Sequence, residues 1–358
     1  MFNTPIARHL FDLPLLVLEK ILKSLTPRDL ISFSFASILA TKIVKSARPK
    51  VDKIYIEFGR NRVTIGLENV KKGHSTYAGA FRFFNTGDLY VSDVVYSSRY
   101  ILGGGLSTLN FSDDIKMVET LLVSHCLQQH MHAVKASLDH ICDIYRSSVK
   151  RVSVDTNANP NFSGFFIWKH LKKCEDVQFL GDTISSCQIN WALKTLKVKQ
   201  GLQVGRQFMK KDLHCDVSRH IKEIRNLRYL ALHSAHWYSN HHFLSMNNRV
   251  LLVESSKITS AGINKWLKIW MTLTHDRTIA LMLHSGRVFS KNVVLEGLPW
   301  IDEDEVPDQK HLNLGTFFPL CTKGAIQITR EDGAVAHLDF DHVDLHIYIR
   351  YPGYNFET

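Results

Sequence analysis

Three features that mark proteins outside the cell or in a membrane are missing from this sequence of 358 residues. Its six cysteines are scattered, without a Cys-x-x-Cys pair or a regular framework, which is typical of reduced intracellular proteins. Asp12 and Glu19 interrupt the apolar N-terminal part and no small-residue cleavage site is present, so we expect no signal peptide. The longest uncharged stretch in that part spans 12 residues, 30–41, whereas a bilayer-spanning helix needs about 20. We therefore expect an intracellular protein, cytoplasmic or nuclear, without a membrane partner.

The common signatures of catalysis and of nucleotide binding are missing as well. No Gly-x-Ser-x-Gly or His-Glu-x-x-His motif is present, and the glycine run 103–105 lacks the lysine and the spaced glycine of a phosphate-binding loop. The adjacent acidic residues 302–305 cannot converge on one point from a strand or a helix, so they suit a solvated loop better than a carboxylate pair. We expect no catalytic residue, no cofactor and a non-enzymatic role.

Histidine is abundant, with 19 residues, and two groups of histidines are close enough in sequence to be candidate zinc ligands. One group lies within residues 125–132 together with Cys126, and the other lies within residues 233–242. Neither group has the spacing of a closed zinc site, and no matching cysteine pair completes four ligands. We expect no bound metal.

Positive charge is in excess, with a formal net charge of +10, and it is unevenly distributed. Residues 169–228 carry 13 Lys and Arg against 6 Asp and Glu, whereas residues 302–358 carry 4 against 11. The basic stretch suits nucleic acid or an acidic protein, and it also fits an ordinary solvated face. It lacks the interleaved arginine and aromatic residues of a nucleic-acid-binding surface, so nucleic acid is not the expected partner. A nucleic-acid-binding protein or an enzyme of unknown class is kept as the alternative function.

The N-terminal stretch predicts three short helices. Pro14 suits the first turn of the first helix, and apolar residues then recur at four-residue steps. Thr26 is the expected N-cap of the second helix. The third helix is expected at 37–47, with Ile38, Ile43 and Val44 facing inward. Because helices this short cannot bury all their apolar side chains against each other, the remaining surface faces either the rest of the chain or a partner.

The stretch LPLLVLEKILKSLTPRDLISFSF resembles the F-box, the helical motif that docks on the Skp-type adaptor of SCF ubiquitin ligases. The following ASILATKIVKS resembles the nematode version of the motif, although Ile38, Leu39 and Ala40 stand where lysine and arginine are commoner. The resemblance implies a Skp-type adaptor as partner and, through it, a cullin. The residues that would contact the adaptor are Leu13, Pro14, Ile21, Leu22, Leu25 and Leu30.

Alternating polar and apolar residues predict a small sheet after the helices. A hairpin is expected over residues 53–68 and a further strand over 88–96. Residues 113–146 contain no proline or glycine, and we expect them to be mostly helical.

A repeated spacing then appears, in which an apolar residue is followed by others three and five positions later. It begins at Val149, Cys174, Leu193 and Leu227, and a degenerate copy ends at Leu252. The spacing of the copies is similar to that of leucine-rich repeats, in which a short strand is followed by a return segment. Because the copies are irregularly spaced, we expect a mixed α/β layer with mostly parallel strands.

Two C-terminal segments carry a second resemblance. Thr259 or Ser260 is expected to cap a helix with Trp266 and Trp270 on its apolar face, and a strand is expected at 278–283. Residues 326–338 predict a hairpin that turns at Asp332-Gly333, with positive φ at both positions. LLVESSKITSAGINKWLKIW and ITREDGAVAHLDF are similar to the F-box-associated domain of the second type found in nematode proteins.

Together these observations predict an α/β fold, α+β overall, in three parts. Residues 9–50 form the F-box, 51–110 a small β-rich connecting region, and 111–358 the F-box-associated domain with its repeat-like α/β layer. The resemblance implies a substrate-recognition subunit of an SCF-type ligase that tethers an unknown target protein. The candidate target-binding residues lie on the polar loop after the strand at 227–232, and they are Trp237, Tyr238, His241 and His242.

Overall fold

The computed structural model describes most of the chain between residues 12 and 352. The gaps within that range are residues 61, 72–73, 86–97, 103–104, 113–116, 123–126, 159–167, 183, 197, 199, 206–216, 274–277, 303–325 and 342. The chain divides into two compact units. Unit 1 contains residues 1–71, 75–152 and 165–171, and unit 2 contains 72–74, 153–164 and 172–358. The boundaries at 50 and 110 follow sequence patterns rather than compactness, and they stay predictions.

The three predicted N-terminal helices of unit 1 are confirmed. They are α1 (Leu15–Ser24), α2 (Pro27–Phe35) and α3 (Ile38–Ala47). The Thr26 hydroxyl accepts a hydrogen bond from the Asp29 N–H at 3.2 Å, and Ser37 caps α3 by accepting from the Ala40 N–H at 3.0 Å. These caps satisfy N–H groups that a helix start leaves without an internal partner, so they fix where α2 and α3 begin.

A sheet and a long helix complete unit 1. The elements are β1 (Lys53–Phe58), β2 (Arg62–Lys71), β3 (His74–Asn85), β4 (Ser98–Leu102), β5 (Gly105–Ser112), β6 (Met117–Leu122), α4 (Leu127–Tyr145) and the start of β7 (Val149–Val154). The strand order is β7-β1-β2-β3-β6-β5-β4. The predicted hairpin at 53–68 is confirmed as the antiparallel pair β1–β2. The strand expected at 88–96 lies outside the described residues.

The helix predicted from residue 113 is wrong in its first part. Residues 117–122 form β6, which pairs parallel with β3 and antiparallel with β5, and the helix begins at Leu127. The absence of proline and glycine permits a helix without requiring one. Val118 and Thr120 are β-branched and suit a strand, and the hydrogen bonds available from strands on both sides outweigh the weak helix propensity.

Unit 2 is a second mixed α/β layer. Its strands are β8 (Asp176–Phe179), β9 (Gly201–Val204), β10 (Tyr229–Leu232), β11 (Val250–Ser256), β12 (Ala280–Ser285), β13 (Ile326–Thr329), β14 (Val335–Asp341) and β15 (Asp344–Arg350). Its helices are α5 (Ser186–Lys194), α6 (Ile221–Ile224), α7 (Asn240–Leu244), α8 (Ser260–Thr272) and α9 (Lys291–Leu295). The strand order is β13-β14-β15-β12-β11-β10-β9-β8, and β8 to β12 run parallel as predicted.

One of the predicted repeat copies is wrong. Leu193 lies in α5, and the strand that follows is at 201–204. The spacing does not distinguish a strand from a helix here, because residues three apart also lie on one face of a helix. A local signal decides for the helix: the Ser185 hydroxyl accepts from the Gln188 N–H at 3.2 Å while the Gln188 side chain accepts from the Ser185 N–H at 2.7 Å. This reciprocal capping box starts α5 just before the repeat copy.

The sheet of unit 2 has one apolar face and one face that mixes polar and apolar side chains. Along β8 to β15 every second residue is a buried aliphatic or aromatic side chain, such as Phe179, Leu230 and Ile347. The residues between them form what we call the polar sheet face. Its polar and large side chains are Asp176, Gln178, Gln203, Tyr229, His233, Glu254, Met282, His284, Gln327, Thr329, His337, Asp339, Asp341, Asp344, His346, Tyr348 and Arg350. The same face also carries a largely buried apolar strip, formed by Ala231, Val250, Leu252, Ala280 and Val335. This alternation follows from the two-residue period of a strand.

The hairpin β13–β14 is confirmed, but its turn differs from the prediction. The Arg330 N–H donates to the Ala334 carbonyl at 2.8 Å, and the Gly333 N–H donates to the Arg330 carbonyl at 2.9 Å. The loop therefore has three residues, and only Gly333 has a positive φ, 84°. Such a loop places a single glycine in the left-handed region, so Asp332 does not need that conformation.

Arg330 connects this hairpin to helix α8. Its side chain is 4% exposed and donates two hydrogen bonds to the Asp332 carboxylate, at 2.8 and 2.7 Å. A third bond reaches the Trp270 carbonyl in the last turn of α8 at 3.0 Å, and the guanidinium lies 5.0 Å from the centre of the Trp270 ring. A cation suits the carbonyl-rich end of a helix, so this contact fixes the hairpin against α8.

We predict that Gly333→Val destabilises unit 2. A β-branched residue resists φ of 84°, and its Cβ would lie 3.1 Å from the Pro352 side chain, so a loss of about 1–2 kcal/mol is expected. Gly286→Val is the matched control, because nothing lies within 4 Å of the position that a Cβ would occupy there and its φ is not positive. Urea unfolding measures both variants. Equal unfolding midpoints would contradict the assigned turn.

Candidate functional site

Large apolar side chains are exposed at two places on the N-terminal helices. Leu13, Leu16 and Val17 lie at the start of α1, and Ile38 and Leu39 lie at the start of α3. Leu16 is 75% exposed and Ile38 is 79% exposed. An exposed group of apolar side chains is typical of a protein-binding surface. We call these five residues the exposed apolar group.

The structure divides the predicted adaptor-binding residues into three classes. Leu13 and Pro14 are exposed, whereas Ile21 and Leu25 are half-buried. Leu22 and Leu30 are 1% and 5% exposed and belong to the core of unit 1. In unit 1 these two leucines are therefore covered by the chain itself, and an adaptor contact at either of them stays a prediction.

Three exposed residues were missed, and one was assigned to the wrong side. Leu16, Val17 and Leu39 were not predicted as surface residues, and Ile38 was expected to face inward. Ile38 precedes the buried Val44 by six residues, which is about 240° around a helix. That angle was available from the sequence. For Leu16 no such signal exists, because α1 carries apolar residues on almost every side.

Helices α2 and α3 are attached to α4 by polar contacts. The Tyr145 hydroxyl donates to the Pro27 carbonyl at 2.8 Å, at the start of α2. Lys45 of α3 lies 2.5 Å from the Asp143 carboxylate. The Phe35 ring stacks on His140, with ring centres 4.5 Å apart. These contacts fix the orientation of α2 and α3 within unit 1, and with it the position of Ile38 and Leu39 of the exposed apolar group.

His140 is held neutral at this contact. Its Nε2 lies 2.7 Å from the Ser34 hydroxyl, which is also 2.7 Å from the Ile31 carbonyl. A hydroxyl has one hydrogen to donate, and when Ile31 receives it the Ser34 oxygen accepts from His140. Burial, followed by the nearby Lys45 charge, lowers the pKa of His140 to about 4. The imidazole is therefore an uncharged packing and hydrogen-bonding group at neutral pH.

The predicted target-binding loop is directed inward more than expected. Tyr238 is fully buried, and its hydroxyl has no hydrogen-bond partner among the described residues, so it is a core residue and not a surface contact. Trp237 is half-buried and packs edge-on against Tyr238, with ring centres 5.5 Å apart. His242 Nδ1 accepts from the Ser239 N–H at 3.2 Å and so caps α7. Of the four predicted residues, His241 is the exposed one.

The polar sheet face carries networks that the sequence prediction missed. His233 is buried at the end of β10, with Nδ1 2.9 Å from the Glu254 carboxylate and Nε2 3.4 Å from the Gln203 amide. On the neighbouring strands His284 Nδ1 lies 2.5 Å from Asp344. The alternation in DLHIYIR (344–350) was a signal for such a face, since it places every second side chain on one side.

Two negative findings apply to the described part of the chain alone. Its His, Cys, Asp and Glu residues form no group of three or more placed to hold a metal ion. Its helices include none that is both long and apolar enough to cross a membrane.

Comparison with known proteins gives two family matches and one relative. The F-box domain matches residues 10–52, and the F-box associated family matches residues 220–279. The Skn-1 dependent zygotic transcript 15 protein of Caenorhabditis elegans is 20% identical over 347 residues, which cover 93% of this chain and 94% of that protein. No solved structure gives a significant match.

We predict that His140 makes the stability of unit 1 pH-dependent. Its folded pKa of about 4 lies below the ordinary value of 6.5, so the unfolded chain binds the proton more readily. This contribution to stability is therefore complete above about pH 6.5 and is lost as the pH falls towards 4. His140→Gln can still donate to Ser34 but does not titrate. Its unfolding free energy should fall less steeply than that of the wild type between pH 6.5 and 4, and parallel curves would contradict the role of His140.

We also predict that Trp237 supports the core. Trp237→Ala removes the ring that packs edge-on against Tyr238, and we expect it to lower the unfolding free energy by about 1–3 kcal/mol. Trp300→Ala is the matched control, because Trp300 is 43% exposed and its loss should cost less than about 1 kcal/mol. Chemical unfolding followed by circular dichroism measures both. Equal losses would show that Trp237 is a surface residue.

Proposed function

We propose that this chain, an F-box protein of the nematode type with an F-box-associated region in its C-terminal part, is the substrate-recognition subunit of an SCF-type ubiquitin ligase. An F-box implies binding to a Skp-type adaptor, and through it to a cullin. Proteins that combine these two domains act in general as non-catalytic substrate adaptors. The proposed role is tethering: the bound target is held close to the ubiquitin-charged enzyme, so its effective concentration rises.

The observation that carries this proposal is the exposed apolar group within the matched F-box segment. Leu16 and Ile38 lie on the helices that the F-box match covers, and both are solvent-exposed although they are aliphatic. The other side of the same helices is occupied, because Leu22, Ile31 and Val44 are buried in unit 1. Binding of an adaptor over the exposed apolar group would be favoured by about 25 cal/mol of free energy for each Å² of apolar surface that it buries.

The structure also changes which substitutions can test adaptor binding. Leu22 is buried, so Leu22→Asp would place an unpaired carboxylate in the core and unfold unit 1. A loss of binding in such a variant would say nothing about the interface. Exposed residues avoid this problem because a charge placed on them stays in water while the adaptor is absent.

We therefore predict that Leu16→Asp combined with Ile38→Asp abolishes adaptor binding and leaves the fold intact. Both carboxylates would be buried at the interface without a partner, so we expect affinity for the Skp-type adaptor to fall by about a hundredfold or more. Binding is measured by titration calorimetry with purified adaptor, and folding by circular dichroism.

Val288→Asp is the matched control for this test. Val288 is 70% exposed and lies in unit 2, so the same charge is introduced away from the F-box. Adaptor affinity should then equal that of the wild type. A folded Leu16→Asp/Ile38→Asp variant that binds the adaptor as tightly as the control would refute the proposed interface.

A further inference from the structure

We propose that the polar sheet face of unit 2 is the surface that binds the target, and that it takes an extended target segment bearing lysine or arginine at alternate positions. This inference rests on the proposed function, since a target is expected only of a substrate-recognition subunit. It replaces the loop around Trp237 and Tyr238, which is directed into the core.

The two faces of the sheet differ in accessibility. On the apolar face the side chains of Leu230, Val253 and Ile347 are buried almost completely. On the polar sheet face, by contrast, Asp339 and His346 are half-buried and Asp341 is exposed. His233, His337 and Tyr348 of the same face are buried, so its accessible acidic part is the end of β14 and β15 that carries Asp339, Asp341, Asp344 and His346. Half-accessible polar side chains are suited to a protein contact that forms and dissociates.

Negative charge is concentrated on this face although the whole chain is basic. Five carboxylates belong to it, against a single lysine or arginine, Arg350, among the described residues of the face. The carboxylates are those of Asp176, Glu254, Asp339, Asp341 and Asp344. The formal net charge of the protein is +10, so the charge of this surface is opposite in sign to that of the whole chain, which favours a basic partner.

The densest part of the charge lies on β14 and β15. Asp341 pairs directly with Asp344 across the two strands, and Asp339 is two residues along the same face. Like charges placed opposite each other in a sheet are unfavourable. Burial, with a further contribution from Asp341, raises the pKa of Asp339 despite the opposing effect of His346. An added cation would relieve this repulsion.

His337 provides an independent observation on the same face. It lies two residues before Asp339 on β14, it is 1% exposed, and its Nε2 has no hydrogen-bond partner in the part of the chain that the structure describes. Burial, followed by the Arg350 charge, lowers its pKa to about 4, so the ring is neutral. A buried polar atom without a partner costs about 1–3 kcal/mol, and such an atom in a folded protein calls for an explanation. In the tautomer with the proton on Nδ1, Nε2 is an acceptor, and a donor brought by the target would satisfy it.

The geometry of a strand explains why the segment should be extended. Side chains on one face of β14, such as Asp339 and Asp341, repeat at about 6.8 Å. An extended peptide presents alternate side chains with the same repeat, so its lysines can stay in register with the carboxylates. Because the peptide and β14 have the same repeat, one alignment of the peptide can form more than one ion pair. Partial burial strengthens each of these pairs.

The test uses the full chain and a labelled peptide that alternates lysine and threonine, with a glutamate-threonine peptide for comparison. Fluorescence anisotropy at low ionic strength measures binding. We expect the lysine peptide to bind the wild type, and to bind the Asp339→Lys/Asp341→Lys variant at least about tenfold more weakly. Added salt should weaken binding to the wild type.

Glu296→Lys/Glu331→Lys is the matched control, because it changes the net charge equally at two exposed positions outside the polar sheet face. Its affinity should stay within about twofold of the wild type. The proposal is overturned if the lysine peptide fails to bind the wild type, binds both variants equally, or binds no better than the glutamate peptide. Adaptor binding, measured on the same samples, should be normal in all three proteins. Its absence from the wild type would overturn the proposed function separately from the target surface.

Discussion

The contact between α4 and the N-terminal helices is the constraint on which the organisation of unit 1 depends. Helices of about ten residues are not stable alone, so α1 to α3 need an external surface to pack against. Helix α4 supplies it with His140, Asp143 and Tyr145, each of which contacts a different part of the N-terminal helices. The apolar side chains turned towards the core become buried, and those on the opposite side stay exposed. Which residues of the F-box are exposed therefore depends on the packing against α4 as well as on the sequence of the F-box itself.

In unit 2 the comparable role belongs to the alternation along the strands. Parallel pairing of β8 to β12 and antiparallel pairing of β12, β15 and β14 bring equivalent positions into lateral rows. Apolar rows form the core, and rows that mix polar and apolar side chains form the opposite face. Arg330 then fixes the β13–β14 hairpin to α8 through the Trp270 carbonyl. The two-residue period of the strands therefore determines which side chains form the core of unit 2 and which lie on the opposite face of its sheet.

Much of the fold could be predicted from local signals, and the errors have physical causes. Thr26 and Thr259 cap the helices they were expected to cap, because capping depends on residues close in sequence. The third repeat copy failed because its spacing fits a helix as well as a strand. The start of the helix after residue 113 failed because the β6 ladder is formed with strands distant in sequence. The conformational preferences of the residues themselves carry no information about pairing with strands distant in sequence.

The candidate site was harder to predict for a related reason. The apolar stripe of α1 identified residues that avoid water, but not which of them the chain itself would cover. Leu22 and Leu16 look alike in sequence, and only the packing of unit 1 separates them. Likewise, the sequence suggests a surface contact for the Trp-Tyr pair at 237–238, whereas Tyr238 is buried in the structure. The charge imbalance at residues 302–358 was visible in the sequence, but the register that aligns Asp339, Asp341 and Asp344 was not.

The separation of the two sheet faces has an evolutionary consequence. Substitution of a polar-face residue such as Gln178 or His346 leaves the buried row beside it unchanged. Mutations at the accessible positions of this face are therefore largely independent of mutations in the core, since side chains on opposite faces of a sheet have few shared contacts. The accessible positions of this face can therefore accumulate substitutions over evolution while the buried core of unit 2 is kept.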